Sequence, residues 1–189
     1  GIKSIQSVIQ EACREKTERD RRRGILNRPV RAMVAGIPIV GKSTFINTLA
    51  GKACTKTGNK PGVTKGKQWI RLNKSVELLD TPGILWPKFE DQTAALKLAF
   101  IGSIKDEILQ TEELAAELIR FLEKEYAGVI GRKYSVEPAE DPYECLRRIE
   151  ESRHCLVRGR ELDTEKATAL LLDDFRNGRL GRITLENPG

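Results

Sequence analysis

Residues 36–43 read Gly-Ile-Pro-Ile-Val-Gly-Lys-Ser, and no other stretch limits the possible folds so much. They satisfy the phosphate-binding pattern G-x-x-x-x-G-K-[ST] without a gap. A short apolar run precedes them (Val30, Ala32, Met33, Val34, Ala35), as a buried strand would. Thr44 to Leu49 follows, with Phe45, Ile46 and Leu49 at helical spacing. In a strand–turn–helix unit of this kind, successive backbone N–H groups and the positive end of the helix converge on one small volume. The residues expected to touch a polyphosphate are Ile39, Val40, Gly41, Lys42, Ser43 and Thr44. Lys42 would reach the β/γ oxygens, and the Ser43 hydroxyl would take one Mg2+ position. Gly36 and Gly41 are expected where a Cβ would block the turn or the approach of backbone to phosphate. An ordinary glycine turn opening a helix is the bland alternative, and the flanking strand and helix weigh against it.

The chain has 189 residues, enough for one or two domains with a real core. No stretch approaches the ~18 apolar residues of a membrane-spanning helix, and Gly1 to Ala12 does not read as a signal peptide. Cys13, Cys54, Cys145 and Cys155 are scattered without a C-x-x-C pair, which suits reduced thiols in a cytosol better than a disulfide frame or a zinc site. His154 is the only histidine and is expected at the surface.

The net charge of +6 hides an asymmetry. Residues 1–76 hold 17 Lys/Arg and 4 Asp/Glu, a balance of +13; residues 77–189 hold 16 and 23, a balance of −7. A basic excess at one end suggests an anionic partner such as nucleic acid, although a run like Arg14 to Arg23 equally suits a solvated helix face. Gly1 to Arg23 is expected to form one helix with an apolar stripe at Ile2, Ile5, Val8 or Ile9, and Ala12, ended by Gly24.

Residues 51–75 carry seven basic residues (Lys52, Lys56, Lys60, Lys65, Lys67, Arg71, Lys74) and no acid. Within them Asn59-Lys60-Pro61-Gly62-Val63-Thr64 is turn-rich. A threonine on such a loop, about twenty residues after a phosphate loop, is where a nucleotide switch places a second Mg2+ ligand. Thr64 is therefore expected to bind the metal and the nucleotide. Gln68 to Leu72 and Val76 to Leu79 read as a hairpin turning at Asn73-Lys74. Its second strand ends on Asp80-Thr81-Pro82-Gly83. An acid there suits a metal-holding role, and Gly83 leaves a backbone N–H to meet the γ-phosphate. Asp-Thr-Pro-Gly alone is a common turn; paired with the first motif at this spacing it is a strong signal.

Together, Gly-Ile-Pro-x-Val-Gly-Lys-Ser-Thr, Pro-Gly-Val-Thr and Leu-Leu-Asp-Thr-Pro-Gly-Ile-Leu-Trp-Pro-Lys-Phe resemble the circularly permuted ribosome-assembly GTPases of the RbgA/YlqF type. The resemblance is dense from Arg31 to Asp91. It implies an α/β fold: a P-loop NTPase sheet with flanking helices, followed by an all-α C-terminal domain. The expected division is a partial circularly permuted G domain over 1–104 and a helical domain over 105–189. It also implies a cytoplasmic protein that binds GTP or GDP with Mg2+. That protein would hydrolyse GTP and act in late assembly of the large ribosomal subunit, with rRNA and ribosomal proteins as partners. Lys42 and Gly83 take the catalytic positions, and Ser43, Thr64 and Asp80 the metal positions.

Three features stand beside the family pattern. In the family the guanine-reading motifs precede the phosphate loop. Asn-Lys-x-Asp is absent from these residues, so the resemblance leads us to expect roughly ninety further residues ahead of Gly1, about half a domain. The family's Asn at the fourth phosphate-loop position, associated with an activating K+, is Ile39, which puts potassium stimulation in question. Ile84 follows Asp-Thr-Pro-Gly where other switch GTPases carry a water-orienting glutamine; the family carries a hydrophobic residue there, and its substitute histidine belongs to the N-terminal part. Slow or absent intrinsic hydrolysis is the consequence for this chain, because an unaided site of this kind turns over slowly.

From Trp86 onward the sequence reads as helical and acidic. Helices are expected over Asp91 to Gly102, from a Thr111 cap towards Gly128, from Asp141-Pro142, and from an Asp163 cap to Gly178. Arg147, Arg148, Arg153, Arg158 and Arg160 suit either a ribosome contact or salt-bridged surface. A competing function class is a truncated or non-hydrolysing RNA- or protein-binding module with a vestigial phosphate loop. An ATP-using enzyme is disfavoured, since Asp-Thr-Pro-Gly with Pro-Gly-Val-Thr belongs to switch GTPases.

Overall fold

Three short runs pair into one sheet in the computed structural model, which describes residues 1–58, 61–85, 89–106, 110–137, 139–155 and 163–186. They are β1 (Val30–Val34), β2 (Gln68–Arg71) and β3 (Val76–Asp80), in the order β1-β3-β2. β2 and β3 form the expected antiparallel hairpin. Asn73 closes it, its side-chain oxygen accepting from the N–H of Ser75 at 2.7 Å and of Val76 at 2.9 Å. β1 runs parallel to β3, so Val34 lies beside Asp80 at the carboxyl ends of both strands. In open α/β sheets that edge is where ligands bind.

Alternation along the strands decides which face is covered. Val76, Leu78 and Asp80 point inward on β3, and Ile70 does so on β2. They pack on Ile46 of the helix that follows β1, with Ala32, Val34, Phe45 and Leu49 around them. The N-terminal segment departs from the expected single helix. A 3-10 turn (Ile2–Ser4) leads into α1 (Ile5–Ala12), which breaks at Cys13 before α2 (Arg14–Arg22). Ile9 packs against the sheet core, but no residue of α2 is buried. Once the apolar stripe ends at Ala12, nothing in the packing holds the next turn on the same axis. The helix carrying the phosphate-binding motif is α3 (Lys42–Ala50).

The chain divides into two compact units, Gly1–Pro87 and Lys88–Gly189. The expected division after residue 104 differs, because α4 (Gln92–Phe100) belongs to the helical unit. Ala99 and Phe100 are buried with the side chains of α5 (Thr111–Glu125) and α8 (Thr164–Arg176), and Phe100 lies 6.3 Å, centroid to centroid, from both Phe121 and Phe175. Arg176 donates to the carbonyls of Phe100 and Ala99, both at 3.0 Å, satisfying acceptors that the end of α4 leaves open. The described residues of the unit add two further helices, α6 (Val129–Tyr134), which the sequence reading lacked, and α7 (Pro142–Ser152).

Helix starts follow the sequence with one correction. Asp91, Asp141 and Asp163 all accept from first-turn N–H groups, but Thr111 is the first helical residue of α5, and its cap is Gln110 without a side-chain bond. Asp91 holds the N–H groups of Thr93 and Ala94 at 2.8 and 3.2 Å. Asp91→Ala is therefore expected to destabilise the helical unit by about 1 kcal/mol, read as a lower urea midpoint at unchanged slope. An unchanged midpoint would contradict it.

Within the same unit, Asp174 accepts from Tyr134 at 3.0 Å and from Arg179 at 2.9 Å. Burial, reinforced by the Asp174 charge, pushes the Tyr134 phenol far above its ordinary value, so it stays a donor at any physiological pH. Arg147 and Arg148 pair with Glu144, whose carboxyl those hydrogen bonds hold down at about 2. Arg153 donates to the Lys133 carbonyl at 2.6 Å. These three arginines are thus engaged inside the unit; Arg158 and Arg160 lie outside the described residues. Cys13, Cys54, Cys145 and Cys155 are free thiols, His154 is exposed, and no helix among the described residues is long and apolar enough to cross a membrane.

Candidate nucleotide site

The turn between β1 and α3 bends back on itself because two residues adopt left-handed backbone. Gly41, with φ 89°, caps α3, and Ile39 sits at φ 58°. Glycine takes that conformation freely, whereas a β-branched residue is strained in it. Ile39→Asn places a residue that tolerates the left-handed region, and the expected result is a gain of about 1 kcal/mol in chemical denaturation. A loss of stability would show that Ile39 packing outweighs the strain.

The turn directs Lys42 across the loop, where its ammonium donates to the Ile37 carbonyl at 2.6 Å. Burial lowers its pKa from the ordinary lysine value, and the Asp80 charge opposes that shift. Ser43, one residue on, is the meeting point of three segments. Its hydroxyl lies 3.2 Å from the Thr64 hydroxyl and donates to Asp80 Oδ2 at 3.2 Å. Asp80 is 1 % exposed, and its other oxygen, Oδ1, has no hydrogen-bond partner among the described residues. A buried carboxylate oxygen without a donor is costly unless something cationic meets it. Two hydroxyls and a carboxylate of this kind are hard oxygen donors, the chemistry Mg2+ requires.

The Asp80–Gly83 segment is held against the loop. Thr81 donates to the Val34 carbonyl at 2.8 Å, and the Ile84 N–H to the Gly36 carbonyl at 3.3 Å. A Cβ on Gly83 would meet Cα and N of Pro38 at 2.5 Å, so only glycine fits there. Between these parts opens a cleft of about 250 Å³. Ile39, Gly41, Lys42, Ser43, Thr44, Thr64 and Gly83 line it; Val40 does not, its side chain being half exposed to solvent. Asn59 and Lys60 of the loop, and Trp86, Pro87 and Lys88 of the third motif, lie outside the described residues.

Two contributions were not read from the sequence. Asn47, one turn after Ser43, ties the start of the 51–67 loop to α3. Its side-chain oxygen accepts from the N–H groups of Cys54 and Thr55, both at 2.9 Å, and its amide donates to the Thr55 carbonyl at 3.0 Å. Lys56, counted only as one basic residue among seven, lines the cleft. A polar residue beside the apolar spacing of α3 was the available signal for the first. Nothing separated Lys56 from its neighbours.

Comparison with known proteins gives consistent results. A family model described as 50S ribosome-binding GTPase matches residues 31–138. A ribosome biogenesis GTPase A from Bacillus cereus is 46% identical over 189 residues, covering 100% of this chain and 64% of its own length. A Thermotoga maritima protein of that name is 33% identical over 162 residues, covering 86% and 58%. Among solved structures, GDP-bound TM YlqF superposes with a TM-score of 0.58 at 28% identity, covering 85% of this chain and 61% of that one. GNP-bound YlqF from T. maritima gives 0.55 at 30%, covering 83% and 59%. The chain thus spans less than two thirds of the length of these two curated relatives, and the fold is that of a P-loop GTPase with a helical C-terminal region.

Proposed function

The chain belongs to the 50S ribosome-binding GTPase family, with the ribosome biogenesis GTPase A proteins among its relatives, and from that premise we propose a GTP switch for ribosome assembly. In this reading it binds GTP or GDP with Mg2+ in the cleft around Lys42 and hydrolyses GTP slowly. It works in the cytoplasm on the large ribosomal subunit, docking through rRNA and ribosomal proteins. The observation that carries the proposal is the meeting of Ser43, Thr64 and Asp80 within hydrogen-bond distance, from segments 21 and 37 residues away from Ser43.

Each residue then has a chemical task. The Lys42 ammonium leaves the Ile37 carbonyl for the β/γ oxygens, exchanging a neutral acceptor for a charged one. Ser43 and Thr64 would hold Mg2+ directly, with Asp80 supplying its unpartnered oxygen to the metal or to a water on it; when bound, the ion would supply positive charge against the phosphates. The Gly83 N–H meets the terminal phosphate, so loss of that group releases both the Gly83 segment and the Thr64 loop. Ile84, 72% exposed and without a polar group, cannot orient an attacking water.

These groups supply positioning and charge but no base, so the expected turnover in a phosphate-release assay without ribosomes is below about one per minute. Turnover of several per minute would contradict the mechanism. The convergence of the metal donors supports this reading over a vestigial phosphate loop in a binding module, since a loop without a ligand has no use for an unpartnered buried carboxylate oxygen.

A further inference from the structure

Lys56 is, with Lys42, a cation of the cleft among the described residues, and the functions assigned so far leave it unused. Among the described residues, those lining the cleft carry two charged side chains, Lys42 and Lys56, and no carboxylate. Lys52, Lys65 and Lys67 belong to the same basic loop but are not part of that lining. No hydrogen bond or ion pair engages the Lys56 ammonium among the described residues. A nucleoside diphosphate spreads about three negative charges over two phosphates, and Mg2+ with Lys42 offsets them only in sum, leaving oxygens that a further cation can meet.

What fixes Lys56 is the residue before it. Thr55 is tied to α3 at each of its polar groups. Its N–H reaches Asn47 Oδ1 at 2.9 Å, its carbonyl accepts from Asn47 Nδ2 at 3.0 Å, and its hydroxyl lies 3.1 Å from both Asn47 Oδ1 and the Ser43 carbonyl. Because α3 begins at Lys42, this clamp sets the Lys56 backbone relative to the phosphate loop. None of its bonds passes through Gly83, assigned to the terminal phosphate, or through Thr64, assigned to Mg2+.

We infer that Lys56 is a phosphate-binding residue of this cleft, presented by the Asn47–Thr55 clamp and engaged equally by the di- and triphosphate. The inference rests on the nucleotide reading above and adds to it a state-independent charge. A flexible lysine stem suits the task, since it delivers a point charge without demanding a fixed fork.

The test is titration of the chain with fluorescent N-methylanthraniloyl GDP and GTP in Mg2+. Lys56→Gln should weaken both nucleotides about tenfold, and Lys56→Arg by less than about threefold. The deficit should shrink as salt is raised. Lys67→Gln removes the same charge elsewhere in the loop and should stay within about twofold of the parent. Asn47→Ala, which releases the clamp, should reproduce most of the loss, and adding Lys56→Gln to it should cost little more. Equal melting temperatures for Lys56→Gln and the parent would tie the loss to binding. Parent-like binding of both nucleotides by Lys56→Gln, with Lys42→Ala still inactive, overturns this inference and leaves the nucleotide reading intact. So does a loss confined to GTP, or one matched by Lys67→Gln. A parent chain that binds neither nucleotide overturns both.

Discussion

Lys42→Ala is expected to lower the affinity for GTP and GDP at least about a hundredfold while leaving the melting temperature of the unliganded chain close to that of the parent. The size follows from losing several charge-assisted bonds, each worth about 1.5–3 kcal/mol, where 1.4 kcal/mol is tenfold. The fold should tolerate the change because the ammonium is bonded to a loop carbonyl, Ile37 O, rather than to a core group. A pH dependence accompanies this. Lys42 must be protonated to hold phosphate, and burial lowers its pKa in the free chain. Affinity is thus fully present at neutral pH and falls as pH rises through that lowered value, before an ordinary lysine would titrate. Lys42→Ala should remove the alkaline fall together with the binding. An alanine variant that binds nucleotide as the parent does would place the phosphates elsewhere.

Gly83→Ala should produce the second large effect, and one of a different kind. The added Cβ would sit 2.5 Å from Pro38 backbone atoms, so one of the two segments has to move. Overpacking of this sort costs about 1–3 kcal/mol. Moving the Asp80–Ile84 segment breaks the Ile84 to Gly36 bond and carries the Gly83 N–H away from the terminal phosphate. GTP affinity should therefore fall about ten- to hundredfold, GDP affinity much less, and hydrolysis should vanish. Equal losses for both nucleotides would show that Gly83 serves only the folding of the loop.

The parts of this site that the sequence discloses are the local ones. Gly36 to Ser43 dictates its own turn, and Thr64 and Asp80 are legible because each sits in a short turn motif, Pro-Gly-Val-Thr and Asp-Thr-Pro-Gly, downstream of Ser43. What brings them together was not legible: the parallel pairing that sets Val34 beside Asp80 depends on contacts far apart in the chain. The same holds for α4, whose apolar residues suit a sheet as well as a helical core until Arg176 and Phe175 are placed against them. The break at Cys13 reflects packing that runs out, which no periodicity announces. The left-handed Ile39 is invisible in composition, since its side chain gives no warning of its backbone.

The magnesium dependence of GTP affinity, measured by titrating the unaltered chain with fluorescent GTP at increasing Mg2+, bears most directly on the shared grip of Ser43, Thr64 and Asp80. Affinity is predicted to rise at least tenfold as Mg2+ saturates. Binding that is indifferent to Mg2+, or no binding at any Mg2+ concentration, would contradict it.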